Sequence, residues 1–124
     1  MNVKVIREAV SHRVFLITVS LSVIFLLGSV LAPYWYLYPQ ISSLIAIPLH
    51  YNVHFGVDLF GPPWRVFTTG IVGFSVLLLN TVLAVVFWKT SRILSYGLLC
   101  ATTLIEIVLA VASAFVTLLV LSYL

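Results

Sequence analysis

Two groups of residues in this sequence have the types and spacing to do chemistry. The first is His50, His54 and Asp58, which follow one another at intervals of four. That spacing puts them on one face of a helix, or on one face of a strand because the interval is even. Two imidazoles and a carboxylate are ligands that zinc and other divalent cations accept. The sequence therefore offers a divalent metal at His50, His54 and Asp58 as a hypothesis. No fourth ligand accompanies these residues, and no cofactor is predicted.

The same stretch also has a structural interpretation. Asn52 and Asp58 are of the residue types that bond backbone amides in turns. Gly56 and Gly61 suit turn conformations, and His50 would cap the end of a membrane span. Both interpretations are open at the level of the sequence.

The second group centres on Glu106, which lies in the middle of a long apolar run. A carboxylate at the centre of a bilayer costs about 2.5–3.5 kcal/mol on insertion scales, so we expect Glu106 to be protonated or paired. The functional hypotheses are a proton relay, an ion site or a contact with a partner subunit. The structural alternative is a hydrogen bond to Asn80, Thr102 or Thr103, which with Glu106 are the predicted intramembrane polar residues. A direct bond to Asn80 would need helix tilt or a water, because the two depths differ by about 7 Å.

Composition decides which elements position these groups. Of the 124 residues, 63% are hydrophobic and only 7% are charged, whereas soluble domains carry roughly 25% charged residues. A bilayer core needs about 20 apolar residues per helix, and three such segments fit. The sequence therefore predicts an all-α integral membrane protein with no room for a soluble catalytic domain, which favours an interaction protein over an enzyme and leaves both classes open. Its positive charge is dispersed, which argues against nucleic acid as a partner.

The chain is predicted to form one membrane domain, 1–124, whose segments are delimited by apolar runs and prolines. Between the first two spans, Val53, Phe55 and Val57 alternate with polar residues, which is a weak strand signal. Prolines argue against a continuous helix there. The predicted segments are an amphipathic segment at 2–13, a first span at 14–33, an external loop at 34–65, a second span at 66–88, a cytoplasmic turn at 89–92 and a third span at 93–123.

The distribution of positive charge predicts the orientation. Lys4, Arg7 and Arg13 precede the first span, and Lys89 and Arg92 lie in the short turn. Because cytoplasmic loops carry the excess of Lys and Arg, we expect a multi-pass protein of the plasma membrane. Its N-terminus is then cytoplasmic, and its C-terminus and long loop are extracytoplasmic.

The long loop resembles the signature of an uncharacterised bacterial membrane domain that accompanies SdpI-type toxin-immunity proteins. The run Ile47-Pro48-Leu49-His50-Tyr51-Asn52 carries the likeness, together with the glycines and the aspartate that follow it. The resemblance covers about residues 14–88, is specific over 47–61, and implies a bacterial membrane protein with this loop conformation. Here the spacing is G-x-D where the domain has G-x-x-D. The signature residues are Pro48, His50, Asn52, Gly56, Asp58 and Gly61.

Three functions follow as hypotheses. The first is a non-enzymatic accessory or interaction protein, which binds a partner through loop 40–64 or joins a larger membrane complex through the polar stripe of the third span. The second is a small oligomeric transporter, or an ion or proton pathway, that uses Glu106. The third is a metal-binding membrane enzyme that uses His50, His54 and Asp58. The expected partners are the lipid bilayer and either another membrane protein or further copies of this chain.

Overall fold

Three long helices dominate the fold. A computed structural model describes residues 3–124, so Met1 and Asn2, which begin the predicted domain and its amphipathic segment, lie outside the described residues. The described chain is mostly helical (77%), and three of its helices are long and apolar enough to cross a membrane. In chain order, the elements are α1 (Val3–Ser11), α2 (Arg13–Tyr36), α3 (Tyr38–Ile41), β1 (Ile47–Asn52), β2 (Gly56–Gly61), a 3₁₀ helix (Pro63–Phe67), α4 (Thr68–Phe87) and α5 (Arg92–Tyr123).

Helix α2 continues past the proline where the predicted first span stops. Pro33 lies inside α2, which ends at Tyr36 rather than at residue 33. A proline removes the N–H that would bond the carbonyl four residues earlier, here that of Ser29. The hydroxyl of Ser113 on α5 donates to that carbonyl over 2.7 Å. A neighbouring helix therefore supplies the missing donor, and α2 remains intact.

Helices α4 and α5 begin and end close to the predicted bounds of the second and third spans. The 3₁₀ helix leads into α4 at Thr68. A tight turn follows the end of α4, where the backbone N–H of Trp88 donates to the carbonyl of Val85. The carbonyl of Ala84, at the end of α4, accepts a hydrogen bond from the hydroxyl of Ser95 over 2.8 Å. Helix α5 packs against both α2 and α4, and the three together form a bundle.

The long connection between α2 and α4 contains an antiparallel hairpin, which the all-α prediction omits. Strands β1 and β2 pair from Ile47 with Gly61 to Asn52 with Gly56. The strand signal over 53–59 was only partly right, because residues 53–55 form the turn. The Asn52 side chain accepts from the backbone N–H of His54 over 2.9 Å, and Gly56 takes a φ of +76°. These two residues fix where the turn begins and ends.

Buried apolar side chains gather at the two ends of the bundle, and polar ones lie between them. The first cluster joins α1, α2, α4 and α5, and consists of Ala9, Phe15, Ala84, Val85, Trp88 and Leu99. The second lies where the hairpin meets the helices, and consists of Leu37, Ile41, Ile47, Val66 and Val120. The outward surfaces of the long helices carry exposed Leu, Ile, Val and Phe. This pattern is the reverse of a water-soluble bundle and suits an apolar solvent.

Candidate functional site

One stripe of α5 carries the polar residues of the bundle interior, which we call the polar seam. Thr102, Glu106, Ser113 and Thr117 recur at helical spacing along α5, and all four are buried. Intervals of four and seven residues place them on one face of the helix, which lies against α2 and α4. The seam is therefore an internal helix contact within this chain.

Hydrogen bonds along the polar seam connect α5 to both neighbours. Asn80 on α4 donates from Nδ2 to the hydroxyl of Thr102 over 2.9 Å. On the other side, the hydroxyls of Ser22 and Thr103 lie 3.0 Å apart and share a hydrogen bond. Bonds of this kind hold helices together in an apolar solvent, where water cannot replace them. The hydrogen bonds of Asn80, Thr102 and Thr103 are thus made with each other, with α2 and with backbone carbonyls of α5, not with Glu106.

Glu106 is the exception within the polar seam. Its side chain has no solvent exposure, and neither carboxyl oxygen has a hydrogen-bond partner among residues 3–124. It lies against Gly73 of α4, because a Cβ added to Gly73 would be 2.6 Å from Oε2 of Glu106 and 3.1 Å from Cδ1 of Leu26. Within residues 3–124, Glu106 therefore does not form the predicted hydrogen bond to Asn80, Thr102 or Thr103.

The hairpin positions the second group of candidate residues. His50 on β1 and Asp58 on β2 face each other, with Nδ1 of His50 2.6 Å from Oδ1 of Asp58. Both side chains are exposed to solvent. Asp58 therefore bonds an imidazole across the hairpin instead of a backbone amide, and His50 pairs with it instead of capping a span.

The structure does not bring His54 to the same place. Its backbone N–H bonds Asn52, and its ring packs against Phe55 at a centroid distance of 6.4 Å. Across residues 3–124, no three His, Cys, Asp or Glu side chains are grouped so that they could hold a metal ion. The predicted three-ligand arrangement is thus reduced to the pair His50 and Asp58.

The other signature residues join the hairpin to the bundle. Pro48 and Gly61 are both buried. A Cβ at Gly61 would lie 2.5 Å from Cδ1 of Leu49 and 3.1 Å from Cδ of Arg65, so only glycine lets the strand pass over Leu49 without a shift. Strand β1 packs on the C-terminal part of α5, and an apolar groove between them is lined by Leu49, Tyr51, Phe115 and Leu118.

A further group of contacts surrounds Trp88, in the first apolar cluster at the end of the bundle away from the hairpin, and the sequence did not predict it. Trp88 contacts the rings of His12 and Tyr96 at centroid distances of 5.3 and 5.7 Å. Beside it, Arg92 forms a 2.9 Å ion pair with Glu8 of α1. His12 falls in the predicted amphipathic segment at 2–13, and Trp88 is the last residue of the predicted second span at 66–88. The only signal that could have joined them is that both were predicted at the cytoplasmic side.

These elements define the class as a small helical protein with three candidate membrane spans and a β-hairpin between the first two. No protein-family model, curated protein or solved structure matches this chain. The likeness of 47–61 to the SdpI-associated domain therefore remains an expectation from the sequence.

Proposed function

We propose that this chain is a multi-pass protein of the bacterial plasma membrane that binds a partner protein on the extracytoplasmic side through its hairpin. It catalyses no reaction of its own. The single observation that carries this proposal is the exposure of two apolar side chains at the hairpin turn, Val53 at 85% and Phe55 at 83%.

The proposed orientation in the membrane depends on which end of the bundle carries the positively charged segments. Arg92 pairs with Glu8 and Trp88 packs on His12, so α1 and the 88–92 turn lie at one end of the bundle. The predicted cytoplasmic segments thus share that end, and the hairpin lies at the other. Since Lys and Arg are enriched on the cytoplasmic side, the hairpin projects outward.

The polar seam is a poor candidate for binding a partner. Its hydroxyls and the Asn80 amide are already bonded within the chain, through Ser22, Ser29 and Thr102. The outer faces of the long helices are apolar, as expected for contact with lipid. Of the two routes predicted for an interaction protein, the hairpin is therefore the better supported.

The hairpin has the features of a preformed contact surface. Asn52 and Gly56 fix the turn, and the pair His50 and Asp58 joins its strands. Two exposed apolar side chains on one fixed turn are typical of contacts that become buried in a pocket of a partner. The partner that fits is a protein with an apolar pocket, because Val53 and Phe55 are exposed at the turn and residues 53–55 include no Asp, Glu, Lys or Arg.

Site-specific photo-cross-linking tests this proposal. A photoreactive phenylalanine analogue replaces Phe55 at the turn, or Phe74 on the outer face of α4 as the matched control, since Phe74 is also exposed. In the native membrane we expect one discrete protein adduct from position 55 that is missing from position 74. The captured protein should then bind the purified chain in bilayers, and Phe55→Ser should weaken that binding about tenfold or more, as loss of a buried aromatic anchor does. Lipid adducts alone, or the same adducts at both positions, would overturn the proposal.

A further inference from the structure

Among residues 3–124, Glu106 has no ion pair. Its own helix contributes one cation, Arg92 at the start of α5; of the two helices packed against it, α2 contributes Arg13 at its start and α4 contributes none. Arg92 is about 20 Å away along the axis of α5, at about 1.5 Å per residue, and Leu26 on α2 is almost as far from Arg13. An ionised Glu106 would be an uncompensated buried charge, which is the least stable form of the group in this setting.

The groups that border the Glu106 carboxyl suit a proton better than a metal cation. A Cβ placed on Gly73 would lie 2.6 Å from Oε2 of Glu106 and 3.1 Å from Cδ1 of Leu26, so a glycine and an aliphatic side chain lie close to that oxygen. The hydroxyls of Thr102 and Thr103, four and three residues before Glu106 on α5, accept from or donate to other groups. A cation that has lost its hydration needs several oxygen ligands at once, whereas a proton needs only the carboxyl itself.

We propose that Glu106 is a proton-binding site inside the membrane, whose proton exchanges with water when α4 separates from α5 at Gly73. In the packed bundle the group is a neutral carboxylic acid. When α4 moves away, water reaches the carboxyl, accepts its proton and hydrates the resulting carboxylate. Rebinding of a proton restores the neutral acid and lets Gly73 return to contact. This inference is independent of what the hairpin binds.

Infrared spectroscopy of the protein in lipid bilayers tests the proposal directly. The chain has only three Asp and Glu side chains, and Glu8 and Asp58 are exposed. We expect a carboxylic-acid carbonyl band at neutral pH that remains in Glu8→Gln and Asp58→Asn and is lost in Glu106→Gln. The band should shift after transfer to D₂O and disappear reversibly at high pH. If Glu106→Gln does not fold, the two surface variants still assign the band by elimination.

Two matched variants test the route by which the proton exchanges. Asn80→Ala removes a hydrogen bond between α4 and α5, whereas Ser113→Ala removes one between α2 and α5. The proposal expects faster deuterium exchange of the Glu106 acid in Asn80→Ala and an unchanged rate in Ser113→Ala. A band that never shifts in D₂O and persists at every pH identifies a sealed structural acid and overturns the proposal. Absence of the band at every pH, or equal acceleration in both variants, also overturns it.

Discussion

The hydroxyl of Ser113 donates a 2.7 Å hydrogen bond to the backbone carbonyl of Ser29, the carbonyl that loses its helical donor to Pro33. Both serines are buried. In an apolar solvent no water is available to bond an unpaired carbonyl. A proline inside a helix is therefore tolerated where a neighbouring helix supplies the hydrogen-bond donor that the proline lacks. One hydroxyl on the third long helix thus keeps the first long helix continuous.

This relationship predicts a coupling between two distant substitutions. Ser113→Ala should lower the free energy of unfolding by about 1–3 kcal/mol, because it leaves the Ser29 carbonyl buried without a donor. In a Pro33→Ala background the helix supplies its own N–H, so the same substitution should cost less. A double-mutant cycle in mild detergent measures the difference, with Ser122→Ala as a control because Ser122 bonds only its own helix. Equal costs in both backgrounds would refute the repair.

The contact between Gly73 and Glu106 predicts different effects for two glycine substitutions. Gly73→Ala should destabilise the bundle by about 1–3 kcal/mol, because the added methyl meets Oε2 of Glu106 and overpacks the site. Gly97→Ala is the matched control, since nothing lies within 4 Å of an added Cβ there, and it should be neutral or stabilising. Unfolding of the two variants under identical conditions makes the comparison. Equal stability would mean that the α4–α5 contact is looser than described.

The proposed orientation predicts which single cysteines a membrane-impermeant reagent reaches. The native Cys100 is replaced by serine, and His54→Cys and Thr90→Cys are introduced separately. Intact cells should label position 54 at the hairpin turn and leave position 90 unlabelled, because the proposed orientation places the turn with Lys89 and Arg92 in the cytoplasm. Position 90 should label once the membrane is opened. Labelling of position 90 in intact cells would reverse the proposed topology.

The cluster around Trp88 predicts that packing, more than charge, attaches α1 to the bundle. Trp88 is 1% exposed, so Trp88→Ala should cost about 3–5 kcal/mol through the cavity that it leaves. Glu8→Gln should cost less than about 1 kcal/mol, because its ion pair with Arg92 is exposed. Unfolding measurements together with proteolysis of the first residues report both effects. A larger loss in Glu8→Gln would show that the ion pair dominates.

Local patterns account for what the sequence could predict. Apolar runs located the three long helices, and helical spacing identified the buried stripe that contains Thr102 and Glu106. Both depend on neighbours within a few residues along the chain. The continuation of α2 through Pro33 could not be predicted, because the hydroxyl that bonds the Ser29 carbonyl belongs to Ser113, 84 residues further along the chain.

The candidate sites show the same division. The turn-forming roles of Asn52 and Gly56 follow from their residue types, and the structure places them at the hairpin turn. The pairing of His50 with Asp58 depends on strand register, which the sequence did not fix. The lack of a hydrogen-bond partner for Glu106 depends on what α2 and α4 present at its depth, and that is a property of the assembled bundle.

The buried contact between the hairpin and α5 has a consequence for biogenesis. Ile47 belongs to the same apolar cluster as Val66 and Val120, so the surface on which β1 rests is complete only when α5 has joined it. A nascent chain that holds only its first two long helices lacks the part of that surface around Val120. The hairpin therefore reaches its final position only after α5 has been made and has packed, so its outer surface forms later than its own sequence is synthesised.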